Sequence, residues 1–284
     1  AAASEAAANI ALGKSYTLYP QPGYSHCTDA GDRVQLTDGK TTTAYFWTQP
    51  GTVGWTSIRY ATVTIDLGDG QPISGVSMTT AAGVAGVTWA LAVYVLVSDD
   101  GRAFYNAGDL VALDRRQNGP WPEKYAIRRL VTFELRTWGR YVQLMIVPLP
   151  GGPYTFTDEV EVFRGPPSLI DSQRGRGEPT EAKTLFEQGR ILRAVTQRLD
   201  LDGAALKKQI LAADLNEAIR SRLAAQAAAA ATPPERLDVD ASFRAVLPLT
   251  PNHAGRWDAA VAAAEKLLAD GARQVLAAEG VNEL

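Results

Sequence analysis

The chain has 284 residues, with 28 Lys and Arg against 31 Asp and Glu, a net charge of −3 and one cysteine, Cys27. No basic excess exists to neutralise phosphates, which argues against a nucleic-acid binder. No run of about 18 apolar residues is present to span a membrane, no internal disulfide can form, and the length suffices for two domains with real cores.

Residues 1–8 are small and Ala-rich. They read as a flexible N-terminus, either the mature end left by removal of a signal peptide or a bare chain edge. Thr37-Asp38-Gly39-Lys40-Thr41-Thr42-Thr43 is an oxygen-rich turn that suits a hard cation, or is simply a turn. The alternation of residues 62–67 predicts a strand. A second is predicted over 73–79, after a turn with Gly70 and Pro72, and a third over 92–98, ended by Asp99-Asp100-Gly101. Strands follow over 131–135, 141–147 and 160–164. Short strands, turn-rich loops and no helical period between them indicate an antiparallel sandwich or jelly roll.

Composition changes at Gly165-Pro166-Pro167, and the period becomes helical. Pro179-Thr180-Glu181 predicts a helix start, with Leu185, Ile191, Leu192, Val195 and Leu199 as its apolar stripe. Asp202-Gly203 opens a second long segment carrying Leu206, Ile210, Leu215, Ile219 and Leu223 on one face. It runs into alanines 224–231 and stops at Pro233-Pro234. Residues 237–251 read as an irregular connection. A third helix over 255–278 turns Trp257, Val261, Leu267, Leu268, Val275 and Leu276 inward. The whole is read as an all-β jelly-roll sandwich followed by a separate all-α helical bundle. Its expected divisions are a sandwich over 9–165, a linker over 166–178 and a helical domain over 179–284.

Six segments in order carry a family resemblance. They are Asn9-Ile10-Ala11-Leu12-Gly13-Lys14 as an opening strand, Thr37-Asp38-Gly39-Lys40 through Tyr45-Phe46-Trp47, and Val63-Thr64-Ile65-Asp66-Leu67-Gly68. The others are Val95-Leu96-Val97-Ser98-Asp99-Asp100-Gly101, Gly139-Arg140-Tyr141-Val142 and Glu159-Val160-Glu161-Val162-Phe163. Over residues 9–165 this resembles the discoidin-like domain, also called coagulation factor five/eight C-type, of the galactose-binding-like sandwiches. The single cysteine departs from the animal branch and points to the bacterial carbohydrate-binding modules. The helical half resembles nothing recognised.

The resemblance implies a structural calcium held by Asp38, the Lys40 carbonyl, Thr43 and Glu159, with carbonyls from Arg33 or Leu36. It also implies a poly- or oligosaccharide ligand gripped by end loops: His26 from the first, Arg59 from the second, and Tyr154 or Phe156 from the last. Tyr24 and Trp55 add rings from the first and second loops, whereas Trp47 is expected in the core. The module is expected to be secreted, periplasmic or at a bacterial cell surface, beside a glycan-processing domain. The alternative is a structural or protein-interaction scaffold, with the helical half as the docking partner.

Zinc is not expected: His26 and Cys27 are adjacent, no second pair stands at ligand spacing, and His253 lies in the other half. Catalysis is not expected either. Two histidines in different halves give a Ser-His-Asp arrangement little material, and neither a Gly-x-Ser-x-Gly elbow nor a P-loop occurs. Asp158 and Glu159, as strand neighbours, should face opposite ways and make poor partners.

Overall fold

A computed structural model describes residues 8–149, 152–170, 176, 179–198 and 202–247. The chain divides into two compact units, residues 1–182 and 183–284.

The first unit is an antiparallel β-sandwich. Its strands among the described residues are β1 (Tyr16–Tyr19), β2 (Val53–Thr56), β3 (Ala61–Ala82), β4 (Ala92–Ser98), β5 (Tyr105–Asp109), β6 (Ala126–Thr132), β7 (Thr137–Val147), β8 (Tyr154–Thr157) and β9 (Glu159–Arg164). The strand order β1-β3-β7-β4-β5 uses the first half of β3, and β6 and β9 pair with its second half. Alternating residues from both halves meet in one core: Val63 and Ile65 from the first, Val76 and Met78 from the second, with Val95, Leu130, Leu144, Val160 and Val162.

The alternation at 62–67 and 73–79 therefore belongs to one strand, not two. The register against β7 shifts between Asp66 and Gln71, so residues 67–70 bulge within a continuing strand and Pro72 is paired with Trp138 beyond them. The opening strand also moves. Residues 11–14 form a turn closed by the Lys14 N–H on the Ala11 carbonyl, and β1 begins only after it. The strand expected over 131–135 lies earlier, as β6, with Phe133 outside it and its ring tilted against Phe163 at 4.9 Å.

One helix interrupts the expected all-β unit. α1 (Leu110–Asn118) is capped by the Asp109 carboxylate, which accepts from the Val111 N–H at 3.0 Å. Its Asp114 is fully buried. One oxygen accepts from Asn118 Nδ2 (2.7 Å) and the Val131 N–H (3.1 Å), and the other from Arg128 Nε (3.1 Å) and Nη2 (2.7 Å). A saturated carboxylate thus pins α1 to β6.

The described elements of the second unit are helical. α2 (Ala182–Arg198) is followed by α3 (Gly203–Ala212), α4 (Glu217–Ala229) and α5 (Pro233–Val246). The segment expected as one long helix breaks at 213–216, where Asn216 caps α4 by accepting from the Ala218 N–H at 3.0 Å. Pro233-Pro234 opens a helix rather than ending one. Thr232 and Glu235 form a capping box, and a proline in the first turn loses no helical hydrogen bond. Much of the expected irregular connection is thereby α5. Leu206, Ile210, Leu215, Leu223, Val239 and Phe243 of this region share one cluster. The helix expected over 255–278 lies outside the described residues.

Candidate functional site

β8 and the turn into β9 carry two features side by side in the chain. The first is a pair of buried carboxylates. Asp158 sits at the break between β8 and β9. Its N–H (3.3 Å) and the Thr157 hydroxyl (2.9 Å) both donate to the Thr79 carbonyl. This break in alternation lets both carboxyls face the 38–43 turn. Asp158 Oδ2 accepts from the Thr42 N–H at 2.6 Å, and Glu159 Oε1 accepts from the Gly39 N–H at 3.2 Å. The expectation that these neighbours face apart is therefore corrected.

Each carboxylate has one bonded oxygen and one orphan. Asp158 Oδ1 and Glu159 Oε2 are buried with no hydrogen-bond partner. Burial pushes the Asp158 carboxyl up to about 7 and the Glu159 carboxyl up to about 8. The Thr42 and Gly39 N–H groups oppose the shift, and the nearby Asp38 charge adds to it. Buried, half-satisfied carboxyls are costly unless something positive completes them. All the donors offered here are oxygens, from Asp38, Asp158, Glu159 and the loop backbone, which fits calcium rather than zinc.

Among the described residues, no three His, Cys, Asp or Glu side chains converge as a metal-ligating group, so a cation here would draw on backbone carbonyls as well. Asp38 Oδ2 is paired with Lys40 Nζ at 3.3 Å. Thr43 is exposed, and it is Thr42 whose backbone meets a carboxylate. Sequence reasoning weighed Asp158 only as a strand neighbour of Glu159 and left it out of the cation set. Its only signal was a second carboxyl beside Glu159.

The second feature is an aromatic cluster. The second and last of the expected end loops pair with one another as β2 and β8, with Trp55 opposite Thr155 and Gly54 opposite Phe156. That pairing buries two expected ligand rings, each 1% exposed. Trp55 lies in the main core and donates its indole N–H to the Pro20 carbonyl at 2.7 Å, and Phe156 is the floor of the cluster. Both are corrected from ligand-facing to structural. Trp47 stacks on Phe156 at 5.6 Å and is buried, as its core assignment requires.

Above this floor stands a rim. Tyr24 meets His26 at 5.4 Å, Tyr154 at 5.4 Å and Phe156 at 4.9 Å, all edge to face. On the other side Tyr45, 44% exposed, packs against Trp47 at 4.8 Å and Tyr125 at 5.4 Å. Tyr125 donates its hydroxyl to the Ala44 carbonyl at 3.2 Å and accepts from the Phe46 N–H at 3.0 Å, tying the loop down. Burial, with Tyr154, Cys27 and Tyr45 nearby, raises the Tyr24 phenol, so at neutral pH it keeps its proton and can both donate and accept.

The structure thus brings Tyr24, His26 and Tyr154 together, and adds Tyr45 and Tyr125. Tyr125 was hidden because it lies between α1 and β6, far from the end loops in sequence. Arg59 is exposed on the connection from β2 to β3, beside Tyr60, whose ring faces Tyr19 at 6.2 Å.

No protein-family model matches the chain, and no curated protein matches it. Among solved structures, it is similar to chitosan-binding module 1 of a chitosanase/glucanase from Paenibacillus sp. IK-5. The identity is 16%, the TM-score 0.36, and the match covers 55% of this chain and 98% of the module. It is similar to a fucose binding module of Streptococcus pneumoniae at 18% identity and a TM-score of 0.36, over 57% of this chain and 99% of that one. A fucolectin from striped bass serum (Morone saxatilis) is similar at 16% identity and a TM-score of 0.40, over 55% of this chain and 48% of the lectin.

Proposed function

We propose that the sandwich is a non-catalytic carbohydrate-binding module whose ligand lies on the rim formed by Tyr24, His26, Tyr45, Tyr125 and Tyr154. Sugars offer apolar C–H faces and rings of hydroxyls, and phenols at a partly exposed aromatic rim answer both. The observation that carries this reading is the short run from β8 into β9. Phe156 of β8 floors the rim, and two and three residues later Asp158 and Glu159 hold the loop that delivers Tyr45. In this reading a calcium ion held by Asp158, Glu159 and loop carbonyls, with the Asp38 charge nearby, has a structural role. It neutralises the buried pair and fixes Tyr45 against Tyr125. The helical second unit serves as a spacer or docking bundle in an exported glycan-processing protein. No described helix is long and apolar enough to cross a membrane.

A second reading, a scaffold without a sugar site, is favoured by one observation: Tyr24 already spends its contacts on His26, Tyr154 and Phe156. A glycan array with wild type, Tyr24→Ala and Tyr45→Ala separates the two. Saccharide binding by wild type that both variants lose supports the module. Absence of binding with calcium present, or binding untouched by either change, removes the rim from the account.

A further inference from the structure

Away from the aromatic rim, Arg176 is seated against the sandwich. The Arg176 side chain is only 11% exposed although it lies outside every strand and helix. Its guanidinium grips Asp99 with both nitrogens, Nη1 to Oδ2 at 2.7 Å and Nη2 to Oδ1 at 3.2 Å. Nη2 also donates to the Trp138 carbonyl at 2.6 Å. The guanidinium carbon lies 3.3 Å from the Trp138 ring centroid and 5.2 Å from that of Tyr105. Nε is buried and donates to nothing.

Fork-to-carboxylate pairing, a carbonyl and an indole face are what a planar guanidinium uses and a lysine ammonium cannot reproduce together. The turn that carries Asp99 is held by bonds that do not involve Arg176. Asp99 sits in a turn that its neighbours lock: Asp100 Oδ1 accepts from the Arg102 N–H (2.8 Å) and the Ala103 N–H (3.0 Å), and the Gly101 N–H donates to the Ser98 hydroxyl at 2.9 Å. Trp138 belongs to β7, opposite Pro72 of β3, and Tyr105 opens β5. Four residues past Arg176, the Thr180 N–H donates to the Phe104 carbonyl at 2.7 Å, next to that same Tyr105.

We infer that Trp138, Tyr105 and Asp99 form a preorganised guanidinium slot whose ligand is this chain's own Arg176. Engagement makes Arg176 and Thr180 a two-point strap on the sandwich. With Arg176 seated, the Thr180 amide is held at the β5 edge. With Arg176 released, the slot is open to another guanidinium.

The test uses the full chain, with wild type, Arg176→Ala, Arg176→Lys and Asp99→Asn. The readouts are hydrogen exchange at the Thr180 amide and the indole resonance of Trp138. The probe is N-acetyl-arginine methylamide, with N-acetyl-lysine methylamide as control. Arg176→Ala should speed Thr180 exchange at least about tenfold, equivalent to about 1.4 kcal/mol of lost protection. Arg176→Lys and Asp99→Asn should each recover only part of wild-type protection. The arginine probe should shift the Trp138 resonance in Arg176→Ala and not in wild type, and the lysine probe should shift neither. Unchanged Thr180 exchange in Arg176→Ala would overturn the strap. No Trp138 shift with the arginine probe, or an equal shift with the lysine probe, would overturn the slot. Glycan binding is not a readout here, so failure of this inference leaves the rim untouched.

Discussion

Replacing Asp158 with Asn should separate two properties that usually fall together. In the unfolded chain an aspartate ionises near 3.8, whereas burial holds this one protonated until about 7. The cation-free fold therefore prefers the neutral acid. Its stability is complete below about pH 4, falls as pH rises toward 7, and is level above that, the reverse of the ordinary acid-denaturation slope. A shift of about three units corresponds to about 4 kcal/mol of penalty at pH 8. Asn removes the charge and keeps the bond from the Thr42 N–H, but it turns the orphan Oδ1 into an orphan donor worth about 1–3 kcal/mol. The net gain is about 2 kcal/mol, or about 4–8 °C in Tm at the size of this unit.

The assay is thermal unfolding at pH 8 in EGTA and in excess calcium, repeated at pH 4. In EGTA at pH 8 the Asn variant should melt above wild type, and at pH 4, where the wild-type carboxyl is neutral, it should melt below wild type by the orphan-donor cost of about 1–3 kcal/mol. In calcium at about a hundred times its Kd the wild type should gain about 2.7 kcal/mol, and the variant should gain little. A variant that melts below wild type in EGTA at pH 8 and still responds fully to calcium would refute both the orphaned-charge argument and the cation site.

Three further outcomes follow from burial and pairing. Trp55→Ala should cost about 3–5 kcal/mol in denaturant unfolding, because it empties a buried site, while Tyr45→Ala should leave stability within about 1 kcal/mol and weaken saccharide binding about tenfold. Equal effects of the two changes on stability would contradict the floor-and-rim division. Asp114→Ala should cost about 3–5 kcal/mol by leaving the Arg128 guanidinium buried without its partner, and a Tm shift under about 3 °C would count against that pin. Gly54→Ala should cost about 1–3 kcal/mol and disturb the Phe156 ring in its NMR shifts, since a Cβ there would stand 2.6 Å from Phe156 Cε1 and 2.9 Å from Cys27 Sγ.

Much of the scaffold was readable locally. β4 matches the apolar run 92–98 residue for residue, and β9 covers the expected 160–164. The Asp202 cap of α3 was visible as Asp-Gly before a helical stripe. What misled was punctuation. Gly70 and Pro72 read as a turn, yet Gly70 falls in a bulge of β3 and Pro72 in its ladder, and Pro233-Pro234 read as a stop yet opens α5. Glycine widens and proline narrows the accessible dihedrals, but the hydrogen bonds of their neighbours decide whether a chain reverses, kinks or begins a helix there.

The sequence by itself determined the strand-forming first half, the helical period that follows, and an oxygen-rich turn at Asp38, because each is written in the spacing of nearby residues. Only the tertiary structure decided which rings are floor and which are rim, and that Asp158 joins Glu159. Those outcomes come from β2 meeting β8 about a hundred residues away, and from one broken alternation at Thr157 and Asp158. Burial is a property of what a segment packs against, and short-range patterns do not carry the identity of a distant partner.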